Sequence, residues 1–182
     1  MPRWFNLANL FTVLRLILVP YIIGAILDGR NTRALELFFV AAVTDVIDGA
    51  LARTLRLATQ VGAYLDPIAD KCLLSGIFLA LGATGRVPRW FVAVVLGRDI
   101  YLLLAAVAVM ALTSLRKFPP SRWGKRTTFA QIATAVTCMV ENIRPGPALH
   151  ALLSAMLWVS VVFTIWSGIH YTLRGAQTLR AR

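Results

Sequence analysis

The sequence predicts an all-α integral membrane protein, with six transmembrane helices and a short N-terminal helix lying in the interface. Three observations predict it. Of the 182 residues, 58% are hydrophobic and the mean hydropathy is +0.71, too apolar for a soluble domain. The apolar residues fall in runs long enough to cross about 30 Å of hydrocarbon. The basic residues behind the net charge of +11 lie mostly between those runs, as topology signals and contacts to anionic head groups do. That distribution argues against a nucleic-acid partner. The length suffices for one bundle, a single domain over residues 1–182.

Each element follows in order. "MPRWFNLA" is short and mixed, with Trp4 and Phe5 beside Arg3, which suits a brief interfacial helix. A first span covers about Asn9 to Leu27 and "DGRNTR" turns the chain. Arg15 interrupts that run and no small-residue cleavage site follows, so it reads as a retained span and not a signal peptide. A second span covers about Ala34 to Leu51, a third about Val61 to Leu81, and a fourth about Trp90 to Leu112. The connector "TSLRKFPPSRWGKRTT" contains Pro119-Pro120, which forbid a continuous helix. A fifth, weaker span covers about Phe129 to Val140 and a sixth about Ala148 to Leu173.

Six spans place eleven basic residues on the side of the two termini and five on the other. Both termini are therefore expected in the cytoplasm. Cys72 and Cys138 lie inside apolar segments and read as small hydrophobes. His150 and His170 are twenty residues apart on one span, about 30 Å along a helix, and cannot share a metal. The five tryptophans read as interface belt and packing.

Four of the eight acidic residues crowd into residues 45–70, near the cytoplasmic ends of the second and third spans. Each charge in the membrane interior costs about 2.5–3.5 kcal/mol, so something must offset the group. Asp45 and Asp48 are three residues apart, Asp66 and Asp70 four, so each pair shares a helix face. The two helices are antiparallel neighbours, and four carboxylates can converge in one cytoplasmic cavity. Cations between them would relieve the repulsion. All-oxygen ligands favour Mg²⁺, Mn²⁺ or Ca²⁺ over zinc, and two ions bridged by carboxylates is an arrangement used in phosphoryl chemistry. Gly49, Ala52 and Gly62 leave room for a ligand near the backbone, and Arg53 offers a fork of donors to phosphate oxygens. Two rival readings stand beside this one. The acids could pair with Arg15, Arg53, Lys71 and Arg98 to hold the bundle, or they could line a proton or ion pathway, as in a small ion transporter.

The spacing Asp45-x2-Asp48-Gly49-x2-Ala52-Arg53-x8-Gly62-x3-Asp66-x3-Asp70 resembles, position for position, the signature of the CDP-alcohol phosphatidyltransferase family. "NLANLFTVLRLILVP" resembles the family's entry into its first helix, and "LDPIADK" its third-helix segment. "GKRTTFAQ" and "TIWSGIHYTLRGA" are similar to segments of bacterial phosphatidylglycerophosphate synthases and their relatives. The resemblance implies a bacterial-type inner-membrane homodimer with its active site facing the cytoplasm. It implies a divalent metal pair, Mg²⁺ or Mn²⁺, held by Asp45, Asp48, Asp66 and Asp70. An acceptor hydroxyl would attack the β-phosphate of CDP-diacylglycerol and displace CMP, with Asp70 as base. Asp45, Asp48, Gly49, Ala52, Arg53 and Gly62 would form the nucleotide and diphosphate pocket.

For the acceptor, Arg15, Arg98, Lys125 and Arg126 are candidates for a second, anionic pocket. A phosphate-bearing acceptor favours glycerol 3-phosphate, hence phosphatidylglycerophosphate. Where such synthases usually carry Arg-Glu, this chain has Arg98-Asp99. That form is also similar to the family's cardiolipin synthases, whose acceptor is phosphatidylglycerol.

Overall fold

The computed structural model describes residues 7–55, 60–112 and 122–180; within these, the side chains of 7–11, 48–55, 60–67, 106–107, 109–112, 122 and 174–180 lie outside the description. The described chain is all helix, with no strand: α1 (Leu7–Leu27), α2 (Asn31–Leu55), α3 (Gln60–Ala83), α4 (Arg89–Leu112), α5 (Arg122–Ile143) and α6 (Pro147–Arg180). The interfacial helix expected over "MPRWFNLA" falls largely outside the described residues.

Local chemistry sets the helix ends. α1 stops because Gly29 turns left-handed, with φ of 72°, a conformation that costs a residue with a Cβ. The Arg30 amide then donates to the Ala25 carbonyl and the Gly29 amide to that of Ile26, capping the last turn. α3 ends in the same way at Gly85, with φ of 71°, where Arg86 reaches back to Leu81 and Gly85 to Gly82. Pro147 starts α6 at the one helical position where its missing N–H costs nothing.

Two compact units result. The first holds Met1–Arg86 with Asn142–Arg144, the second Val87–Glu141 with Pro145–Arg182. In the first, α2 and α3 both pack on α1. Its buried side chains include Ile22 and Ile26 of α1, Phe38 of α2, and Ile77 and Phe78 of α3. α1 and α3 approach closely at Gly76, where an added Cβ would come within 2.7 Å of Ile23 Cδ1.

In the second unit α4 packs on α6, and α5 is tied to α6 by polar side chains. Thr127 donates to the Phe163 carbonyl at 3.0 Å, Gln131 to Thr164 at 3.3 Å, and Thr134 to the Met156 carbonyl at 3.1 Å. From Thr127 at Phe163 to Thr134 at Met156 the partner numbers fall, so the two helices run antiparallel.

α5 begins earlier than the apolar pattern predicts. Trp123 to Thr128 belong to its first turns and not to the connector, because Arg, Lys and Thr are compatible with helix and Pro119-Pro120 end before it starts. α2 and α6 likewise extend beyond their apolar stretches. Among the described residues, one helix is long and apolar enough to cross a membrane by itself, Pro147–Leu173, and α1 carries a shorter apolar stretch, Thr12–Leu27. Large apolar side chains nevertheless stand exposed on all six helices, among them Tyr21, Phe39, Ile68, Leu103, Phe129 and Val162. So much exposed apolar surface is foreign to a soluble monomer and suits lipid contact.

Candidate active site

Packing α2 and α3 on the same face of α1 has one chemical result. Arg15 of α1 lies between them, its side chain 1% exposed. Its Nη1 donates to Asp70 Oδ1 at 2.7 Å, and its Nη2 donates to Asp45 Oδ1. One guanidinium thus gathers two carboxylates that stand 55 and 30 residues away in the chain. A planar fork with donors on both terminal nitrogens is suited to such a bridge, where a lysine offers only a point charge.

The three groups form a floor and a rim. Arg15 is the floor, and the Asp45 and Asp70 side chains remain 49% and 52% exposed. Both carboxylates thus keep about half of their surface open beyond the guanidinium. Asp48 follows Asp45 by three residues in the same unbroken helix, and Asp66 precedes Asp70 by four. Their side chains, with those of Gly49, Ala52, Arg53 and Gly62, lie outside the described residues. No group of three or more metal-binding side chains occurs among those described. The two described carboxylates fit a hard divalent cation on their chemistry: oxygen donors, half open, and brought together from two helices.

The pairing also bears on the structural reading of the acids. Arg15, a sequence candidate for the acceptor pocket, is bound to two of the proposed metal ligands. A buried guanidinium costs much to desolvate unless its donors are met, and Asp45 and Asp70 meet two of them. Arg15 Nε is buried with no partner among the described residues.

The second unit holds another buried cation. Arg98 of α4, its side chain 8% exposed, donates through Nη1 to Asp99 at 2.8 Å and through Nη2 to Ser167 Oγ of α6. Gly124 of α5 lies alongside; a Cβ there would sit 3.9 Å from Arg98 Nη2 and 3.8 Å from Tyr171. Arg98 Nε and His170 Nδ1 are buried without partners among the described residues. Lys125 and Arg126 differ in kind: both are exposed, and Arg126 lies 4.7 Å over the Trp123 ring. The structure therefore divides the four acceptor candidates among three environments. Ser167 is a contact that sequence reasoning missed. The available signal was a run of small polar residues, Ser160, Thr164 and Ser167, at helical spacing inside an apolar span.

The profile of the CDP-alcohol phosphatidyltransferase family matches residues 5–166. The chain is 34% identical to a probable phosphatidylglycerophosphate synthase of Mycobacterium tuberculosis, over 96% of this chain and 83% of that one. It is 30% identical to a CDP-diacylglycerol–glycerol-3-phosphate 3-phosphatidyltransferase of Bacillus subtilis, over 97% and 98%. A putative cardiolipin synthase of Mycobacterium tuberculosis is 27% identical over 98% of this chain and 86% of its own length. These matches decide between the enzyme and the ion pathway in favour of the enzyme. With its acidic motif spread over two helices that meet at Arg15, the chain belongs to the CDP-alcohol phosphatidyltransferase family.

Proposed function

We propose that the protein transfers the phosphatidyl group of CDP-diacylglycerol to glycerol 3-phosphate, forming phosphatidylglycerophosphate and releasing CMP. The observation that carries this reading is the meeting of Asp45 and Asp70 on Arg15, within an acidic motif of this family. The names of the relatives support the same acceptor.

In this reaction the acceptor oxygen forms a bond to the β-phosphorus, and the bond from that phosphorus to the oxygen of CMP breaks. The hydroxyl proton passes to Asp70. A positioned carboxylate need only accept the proton as attack proceeds, so its ordinary basicity suffices. Asp45, Asp48, Asp66 and Asp70 are the proposed ligands of two divalent ions, Mg²⁺ or Mn²⁺. Bound there, such ions supply charge neutralisation to the diphosphate and to departing CMP. Arg15 holds Asp45 and Asp70 in register and offsets part of their mutual repulsion. Gly49, Ala52, Arg53 and Gly62 are proposed to receive the cytidine and diphosphate. For the acceptor's phosphate, Arg98 is the first candidate, with Lys125 and Arg126 beside it.

The remaining assignments belong to the same reading. The chain works as one domain, a homodimer in an inner membrane, with six spans and with both termini and the active site on the cytoplasmic side. The continuity of the family match across both units supports one domain, and the excess of basic residues on one side supports the orientation. A second reading, cardiolipin synthesis with phosphatidylglycerol as acceptor, is favoured by Arg98-Asp99 and by the similarity to a putative cardiolipin synthase.

The test is CMP release by purified protein in detergent, with Mg²⁺, CDP-diacylglycerol and either glycerol 3-phosphate or phosphatidylglycerol. Release with glycerol 3-phosphate alone is expected. Release with phosphatidylglycerol alone would replace this reading by the second. Silence with both, in folded protein, would overturn both.

A further inference from the structure

Arg15 gives both of its terminal nitrogens to side chains proposed above as metal ligands: Nη1 donates to Asp70 Oδ1 and Nη2 to Asp45 Oδ1. We propose that Arg15 is a built-in counter-cation of the metal site, which keeps Asp45 and Asp70 together without a divalent ion and weakens the binding of such ions when they are present. The inference rests on the metal-ligand assignment. It goes beyond it by giving the guanidinium an action opposed to metal binding, and by taking Arg15 out of the acceptor pocket.

Three observations carry it. First, the cation lies behind the acids: the Arg15 side chain is 1% exposed, while both carboxylates are half open. An ion arriving from the open side meets the carboxylates first, with the guanidinium on their far side. Second, Arg15 is tied to these acids and to little else. Its Nε is buried with no partner among the described residues, so Asp45 and Asp70 are what meet its charge. Third, the neighbouring positions are packed and apolar. Ala41, one turn before Asp45, Ala69, next to Asp70, and Ile22, two turns beyond Arg15, are all fully buried. A charge in such surroundings is screened less than one in water.

Arg15 then acts on metal binding in two opposite ways. By holding two short side chains in place it spares the ion their ordering, worth roughly tenfold in affinity. By its charge it repels the ion. A charge within a few ångströms changes a proton's affinity by about ten- to a thousandfold, and a divalent ion carries twice the proton's charge. Repulsion outweighs ordering, so removing the charge should tighten metal binding. An arginine that only joins helices would have no such effect.

The experiment uses the full chain in detergent, without CDP-diacylglycerol or acceptor. Mn²⁺ binding is followed by electron paramagnetic resonance of the free ion, and thermal unfolding is measured with and without Mg²⁺. Arg15→Gln removes the charge and keeps an amide that can donate to one acid. Arg15→Lys keeps the charge and loses the fork. Arg15→Gln is expected to bind Mn²⁺ about tenfold or more tightly than the wild type, and to gain more in melting temperature from Mg²⁺. Arg15→Lys is expected to stay within about threefold of the wild type. Folding of Arg15→Gln only in the presence of Mg²⁺ would also support the proposal, since the ion would then replace the guanidinium. Equal or weaker Mn²⁺ binding by folded Arg15→Gln would overturn it, while leaving the metal ligands as assigned. So would tightening by Arg15→Lys as large as by Arg15→Gln, or an Arg15→Gln chain that stays unfolded at saturating Mg²⁺. Failure of all three proteins to bind Mn²⁺ would overturn the ligand assignment itself, and the proposal with it.

Discussion

The Arg15 cluster of the first unit and the α5–α6 seam of the second hold polar side chains among apolar helices by opposite means. In the first, a fully buried guanidinium bridges two half-exposed carboxylates. Along α5 and α6 in the second, neutral groups do the work: Thr134 meets Ser160 at 2.7 Å, Gln131 meets Thr164, and Thr127 reaches a backbone carbonyl. Neutral hydrogen bonds between membrane helices contribute only about 0.6 kcal/mol each, yet they cost little to install. Charges cost far more. A chain that can join helices with hydroxyls has no structural need for two acids and an arginine in the same role. The charged cluster is therefore best explained by chemistry, and the hydroxyl seam by packing.

Substitutions can break or sharpen that contrast. The largest effect is expected from Asp45→Asn, which removes a proposed metal ligand: the Mg²⁺ concentration for half-maximal CMP release should rise by about tenfold or more. A Mg²⁺ titration checks it, and an unchanged requirement would remove Asp45 from the ligand set. Next comes Arg15→Met, which leaves two neighbouring carboxylates without their shared cation. Breaking a fully buried pair costs about 3–5 kcal/mol, and the half-exposed acids place this case at or below the lower end. Thermal unfolding in detergent reads the loss. Divalent cations should restore part of it, because they replace the missing positive charge; a purely structural arginine would show no such rescue.

Smaller effects follow in the packing. Gly76→Leu forces Ile23 aside at the α1–α3 approach and should cost about 1–3 kcal/mol. Gly76→Ala should be close to neutral, since the yielding atom is the far end of a flexible side chain and alanine favours helix by about 1 kcal/mol. A small loss is also expected from Thr134→Val, about 0.6 kcal/mol or a little more, with CMP release unaffected. A large loss of activity there would dissolve the distinction between the two halves.

Much of this was legible in sequence, for identifiable reasons. Carboxylate spacings of three and four residues have meaning only on a helix, and α2 and α3 run unbroken through both pairs. Gly29 and Gly85 sit where α1 and α3 end, because left-handed turns demand them. The start of α5 was not legible, since its first turns carry Arg, Lys and Thr and apolar periodicity is blind to polar helix. Nor was the partner of Arg15. Its position in α1 was plain, but three-helix geometry decides whether a buried guanidinium faces a substrate phosphate or the protein's own acids. The seam of Thr127, Gln131, Thr134, Ser160 and Thr164 escaped notice because each residue alone is unremarkable in a helix, and only their antiparallel register makes pairs.

The most direct measurement compares CMP release by the wild type and by Asp70→Asn, with Mg²⁺, CDP-diacylglycerol and acceptor all saturating and helical content verified in both. If Asp70 takes the acceptor's proton, the variant should lose about 10²- to 10⁴-fold in turnover while still binding CDP-diacylglycerol. Turnover near the wild-type rate in the folded variant would contradict the assignment, and the Arg15 cluster would then be a joint between helices and not a catalytic centre.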